Sequence, residues 1–159
     1  MQPRMPVATP LPKRPMSADQ DESTQRPRLK LAPRQAGFSH HVGPFYEIAL
    51  PHSMRRALLL DGRHLSPENV VHGGVIASFA EYVLYRGIGD EIGEDHARVS
   101  VEMDLKFLAA AFPNRWIYGE AHLLRKTRNL VFVAAEIFDQ QRRVAFASGI
   151  WRVLGGEEE

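Results

Sequence analysis

The 159-residue chain contains no cysteine, which removes disulfides, thiol nucleophiles and Cys-ligated zinc and fits a reducing compartment. Long apolar runs are missing too. Nothing approaches the roughly 18 consecutive apolar residues of a spanning helix, and the first residues carry no apolar secretory segment. A cytoplasmic protein without a membrane span is therefore expected. Neither sign of charge dominates: 20 Lys/Arg stand against 19 Asp/Glu. The small excess is uneven, with seven basic and three acidic residues in 1–36, and 13 against 16 in 37–159. A slightly acidic folded part argues against nucleic acid as its ligand, because duplex binding needs a basic face that displaces counterions. The seven histidines, at 40, 41, 52, 64, 72, 96 and 122, form no i, i+4 pair on a helix and have no carboxylate at ligand spacing. No metal site is expected.

Proline is concentrated rather than scarce. Residues 1–36 hold seven of the eleven, interspersed with Ser, Gln, Arg and Asp and with no apolar period, so this segment is expected to be disordered. Asp19, Asp21 and Glu22 tell against an arginine-rich targeting peptide. One folded domain is expected over residues 37–154, followed by an acidic tail, 155–159.

Within that domain, order begins near Phe38 to His41. Phe45 to Leu50 and Arg55 to Leu60 read as strands, and Asp61 to Val71 as an irregular connection. Val75 to Ile88 has helical spacing, with Arg86-Gly87-Ile88-Gly89 as its expected close. Arg98 to Phe107 alternates, placing Val99, Val101, Met103, Leu105 and Phe107 on one side of a half-buried strand. Trp116 to Leu124, Leu130 to Asp139 and Arg143 to Leu154 give three more strands. Leu130 to Ile137 is apolar on both faces, which predicts cover from the helix on one side and from another subunit or the N-terminal segment on the other. One antiparallel sheet wrapped around one long central helix, an α+β architecture, satisfies this order.

The stretch most suggestive of chemistry is His72-Gly73-Gly74, opening the apolar helix that carries Glu81. Ile76, Phe79, Ala80, Val83 and Leu84 mark one helical face. Glu81 sits off it, with Gly74, Ala77, Ser78 and Tyr85 one to two turns away. A helix this apolar is wrapped by protein, which desolvates the carboxylate, raises its pKa and marks it for catalysis or a specific partner. The glycines admit close backbone approach, and the first amides of a helix are unpaired donors at its positive end. A solvated glutamate and an ordinary Gly-Gly turn are the plainer alternative. His72 is read either as a structural ring that ties down the preceding loop or as a direct substrate contact.

This arrangement, a His-Gly-Gly with an acid nine positions after the histidine, resembles the hotdog-fold acyl-CoA thioesterases of the phenylacetate-degradation and 4-hydroxybenzoyl-CoA type. The likeness runs from about Phe38 to Val153. It extends to the strand from Val99 to Ala110 and to the basic turn from Arg125 to Leu130. The resemblance implies hydrolysis of an acyl-CoA to acid and CoA without a cofactor. Glu81 would act as nucleophile or general base, with the Gly73 or Gly74 amide polarising the carbonyl. It also implies a homodimer or homotetramer with sites across the interface. Ser66 and Asn69 stand where the family commonly has asparagine or glutamine and glycine, and Tyr85 where a small hydroxyl residue often orients water. These two loop residues, with Ser78 and Tyr85, are candidate substrate contacts, and Tyr85 is expected to shrink the acyl pocket. Arg125, Lys126 and Arg128 are candidates for the CoA phosphates, or else solvated hairpin charges. The rival function is a non-catalytic hotdog module that binds acyl-CoA and reports it to a partner. A hotdog hydratase is disfavoured because its histidine–acid motifs are not found.

Overall fold

A computed structural model describes residues 28–33 and 36–154. The expected acidic tail and most of the proline-rich segment lie outside the described residues. The elements run β1 (Lys30–Leu31), α1 (Phe38–Val42), β2 (Phe45–Ala49), β3 (Met54–Leu60), a 3-10 turn (Gly62–His64), α2 (Gly73–Ile92), β4 (Arg98–Phe107), β5 (Arg115–Lys126), β6 (Leu130–Phe138) and β7 (Arg143–Val153). All seven strands form one antiparallel sheet in the order β1-β2-β3-β5-β6-β7-β4. α2 lies against its inner face in the hotdog arrangement. Among the described residues no helix is long and apolar enough to cross a membrane.

Local chemistry fixes the β5–β6–β7 meander. Thr127 Oγ1 accepts the Leu130 amide at 3.0 Å in the first turn. In the second, Asp139 Oδ1 accepts the Gln141 and Arg142 amides at 2.8 and 2.9 Å, a side-chain turn typical of aspartate. Every second residue of β6, Val131, Val133, Ala135 and Ile137, is then buried with Leu58, Leu60, Phe79, Val83, Leu84, Ile88, Ile117 and Trp151. Each fully buried large apolar side chain contributes about 1.5–3 kcal/mol, so this file holds α2 to the sheet.

Four expectations need correction. The folded chain begins before residue 37: Lys30 and Leu31 pair with Glu47 and Tyr46, and Ala32 is buried. The central helix does not close at Arg86–Gly89 but runs to Ile92, ending at Gly93 with φ 96°, a conformation that favours glycine. Gly87 and Gly89 serve contact rather than termination. A Cβ on Gly87 would lie 2.4 Å from that of Ala121, and one on Gly89 2.2 Å from Glu94 Oε1.

β4 is not half-buried as its alternation suggests. Its register shifts between Ser100 and Glu102, so Met103, Leu105 and Phe107 oppose Gly149, Ala147 and Ala145 on the helix side, while Val99 opposes Arg152 on the other. A bulge breaks a period-2 pattern in this way. As the edge strand it leaves Val101 61% and Phe107 58% exposed. Finally, the described part of the N-terminal segment, 28–33, does not cover the outer face of β6. It joins the opposite edge of the sheet, and that face is flanked instead by Arg55 and Tyr118 beside Phe138.

Candidate active site

α2 starts in an uncommon way. His72 is its N-cap, with extended backbone (φ −61°, ψ 134°), and its ring Nδ1 accepts the Gly74 amide at 2.9 Å, the task usually given to Ser, Thr, Asp or Asn. Nδ1 as acceptor puts the proton of the neutral ring on Nε2. A Cβ on Gly74 would sit 3.0 Å from Nδ1, and one on Gly73 3.3 Å from the Phe107 ring. The two glycines thus make room for a ring on either side. The Gly74 amide is spent on the cap, which leaves Gly73 as the amide of the pair with no acceptor among the described residues. The loop behind is tied by His64, buried at 3% exposure. His64 Nδ1 accepts the Asp61 amide at 3.0 Å and its Nε2 bonds the Val42 carbonyl at 2.9 Å, while the His72 amide donates to the His64 carbonyl. Sequence reading had singled out His72 but not His64.

Glu81, two turns on, is half-buried. Its carboxylate has no hydrogen bond or ion pair among the described residues, and burial pushes its pKa upward. It opens onto two adjoining cavities. One, about 420 Å³, is apolar, lined by Phe38, Val42, Phe45, Ala77 and Met103 with Ser39, Ser78 and Glu81. The other, about 240 Å³, is polar, lined by Pro33, Ser39, Glu81, Tyr82, Tyr85, Arg86 and Glu94. A separate cavity of about 330 Å³ opens at Gly73 and Phe107, so the helix N-terminus and Glu81 face different spaces of one protomer.

The other expected residues are dispersed. Ser78 lines the apolar cavity, but its hydroxyl donates to the Gly74 carbonyl at 2.7 Å. Tyr85 does not narrow the apolar cavity as expected. Its ring centroid lies 4.0 Å from the Arg98 guanidinium, and the residue lines the polar cavity. Ser66 and Asn69 shape the loop instead of reaching a cavity lined by Glu81. Ser66 Oγ accepts the Glu68 amide at 3.3 Å, and Asn69 adopts φ 60°, a left-handed conformation that asparagine tolerates. Arg125, Lys126 and Arg128 are exposed near the β5–β6 turn. Gly119 packs on Val83 and Ala121 on Gly87, so β5 runs alongside α2 and this turn lies toward the helix C-terminus, away from Gly73.

Sequence reading missed a buried ionic network under the C-terminal half of α2. Arg56, Arg86 and Arg98 are 2%, 9% and 6% exposed. Arg86 bonds Glu47 at 3.0 Å and Glu94 at 2.7 Å, and Arg56 donates to both Asp90 oxygens at 2.8 Å. Arg56 Nε lies 3.2 Å from Glu47 without hydrogen-bond alignment. The network holds three cations and three carboxylates, which keeps the buried charge neutral. The signal was present in the strands: alternation places Arg56 in line with Leu58 and Leu60, and Glu47 directly opposite on β2.

Residues 68–146, the stretch with His72, both glycines and Glu81, match the family model of the thioesterase superfamily. Over that stretch the chain matches the superfamily, enzymes whose general reaction is thioester hydrolysis, and it has the hotdog fold. Three solved structures show the likeness. A putative thioesterase from Ralstonia eutropha, described as phenylacetic acid degradation-related, is 22% identical, with 67% of this chain and 83% of that one aligned at a TM-score of 0.62. Zebrafish thioesterase superfamily member 2 gives 21%, 75%, 87% and 0.65 for the same measures. A hypothetical thioesterase from Streptococcus pneumoniae, solved with coenzyme A, gives 15%, 72%, 91% and 0.61. At these identities the likeness carries the fold alone. No curated protein matches the chain.

Proposed function

We propose that this protein hydrolyses an acyl thioester of coenzyme A, with Glu81 as the group that attacks the carbonyl or deprotonates water. The observation that carries the reading is a carboxylate without a protein partner on the central helix, its pKa raised by burial, at the mouth of an apolar cavity. A thioester needs only a modest nucleophile and one or two oriented donors. The Gly73 amide, at the positive end of a 20-residue helix, is the donor for the developing oxyanion. Coenzyme A bound to the Streptococcus pneumoniae relative supports the choice of carrier.

Assembly completes the site in this reading. The protein works as a cytoplasmic homodimer, or a dimer of dimers, in which the exposed edge strand β4 pairs with its two-fold mate. An unpaired apolar edge is a liability that such pairing removes. Antiparallel two-fold pairing sets the Phe107 end of one β4 beside the Arg98 end of the other. Gly73 of the partner subunit then complements Glu81, with the basic turn of Arg125, Lys126 and Arg128 at the Arg98 end of β4 beside it to take the CoA phosphates. A panel of acyl-CoAs assayed for thiol release tests the activity, and absence of thiol release from every member rejects it.

The second reading, a non-catalytic acyl-CoA-binding module, draws on the Gly74 amide being committed to His72 and on Tyr85 replacing a small hydroxyl residue. It predicts tight acyl-CoA binding by wild type with no turnover.

A further inference from the structure

Two residues line both cavities beside α2: Glu81 and, from α1, Ser39. Everything else on the apolar side is carbon surface or Ser78, whose hydroxyl is occupied by the Gly74 carbonyl at 2.7 Å. The polar side holds Arg86 and Glu94, which are bonded to each other, and the Tyr82 hydroxyl. Tyr82 is 7% exposed, yet its hydroxyl has no hydrogen-bond partner among the described residues. That hydroxyl is closed off from solvent, but the space beside it, about 240 Å³ and lined by Ser39, Glu81, Tyr85, Arg86 and Glu94, is polar and large enough to hold water. The geometry therefore separates an apolar compartment suited to an acyl group from a wet compartment, and the boundary between them is Ser39 opposite Glu81.

We propose that Ser39 is the positioning residue for the hydrolytic water, taking the role of the small hydroxyl that Tyr85 displaces from α2. The inference rests on the Glu81 reading above and commits it to general-base catalysis. Ser39 Oγ has no hydrogen-bond partner among the described residues and is half-buried. It is thus available to hold a water from the polar cavity, with one O–H aimed at Glu81. The carboxylate takes that proton as the water oxygen bonds to the thioester carbonyl carbon. Collapse of the tetrahedral intermediate breaks the C–S bond, and the departing thiolate receives the proton back from Glu81, giving one acid and one thiol.

α1 is well placed to hold a hydroxyl still. The His64 ring anchors its last residue through the Val42 carbonyl, and the Gly43 amide closes the turn on the Ser39 carbonyl at 2.8 Å.

The test compares wild type, Ser39→Ala, Ser39→Thr and Glu81→Gln on the best acyl-CoA of the panel, with melting curves for each. The expected result is a kcat about 10-fold or more lower in Ser39→Ala, the worth of one orienting hydrogen bond, with KM and melting temperature unchanged and kcat largely recovered in Ser39→Thr. Wild-type kcat in Ser39→Ala overturns the inference. So does equal impairment of the alanine and threonine variants with a raised KM, which marks α1 as packing only. If Glu81→Gln is inert while Ser39→Ala is normal, this inference alone fails. A wild type inert toward every acyl-CoA removes the underlying reading with it.

Discussion

The ring of His72 and the amide of Gly74 are bonded at 2.9 Å, so the histidine ahead of the central helix acts as its cap. Replacing a capping side chain with alanine costs about 1 kcal/mol. We expect His72→Ala to lower the melting temperature by roughly 3 °C, and His72→Asn, which keeps a capping acceptor, to stay close to wild type in both stability and kcat. An asparagine variant that is stable but inactive would assign the ring to the substrate instead.

Glu81 links activity to stability in opposite senses. Glu81→Gln should lower kcat by about 100-fold or more while acyl-CoA still binds. The carboxyl pKa is raised in the folded protein by burial, so the native state holds its proton more tightly than the unfolded chain does. The stability this confers is present at pH below the unfolded value and is lost as pH rises through the folded one. Glu81→Gln should therefore melt higher than wild type near pH 7.5, and the two curves should converge toward pH 4. Equal melting temperatures at both pH values would show that the carboxylate is fully solvated.

The buried arginines should be far more costly to remove than surface ones. Arg86→Leu leaves Glu47 only the poorly aligned Arg56 Nε at 3.2 Å and Glu94 only Arg98 at 3.5 Å, and since breaking a fully buried pair costs about 3–5 kcal/mol, a loss of roughly 2–3 kcal/mol is expected for this partly exposed one. Denaturant unfolding measures this. A loss below about 1 kcal/mol would mean that water takes over the guanidinium's contacts.

The basic turn offers a binding test. Arg125→Ala combined with Arg128→Ala should raise KM with little change in kcat, and the difference should shrink as salt is added. An unchanged KM at low salt would return both residues to a solvated role.

The edge strand offers an assembly test. Val101→Lys places a charge on exposed β4, where lysine discourages pairing. Light scattering should show a smaller particle, with loss of thioester hydrolysis if the site is shared between subunits. An active monomer would refute the composite site.

Much of this was legible in the sequence because it is periodic or carried by a motif. The strands and the apolar helix that opens at His72-Gly73-Gly74 follow from spacing that each local segment enforces. What escaped was set by contacts between distant segments. Gly87 and Gly89 have the sequence look of a helix end, and only the nearness of Ala121 and Glu94 explains glycine inside the helix. The bulge at Ser100–Glu102 is invisible in an alternating string. Ser39 carries no local signal, since its interest lies in lining the same cavities as Glu81, 42 residues along the chain.

The contact of Gly87 with Ala121 and of Gly119 with Val83 has a further consequence. On the β5 side, helix and sheet meet with no room even for a methyl group, so an acyl chain cannot be threaded there. The flank of α2 bounded by α1 and β4 is the side left to it. On the function proposed above, the range of chain lengths would be set by the five-residue helix Phe38–Val42 together with Met103 on β4. On that proposal, selectivity would be a property of the rim rather than of the core.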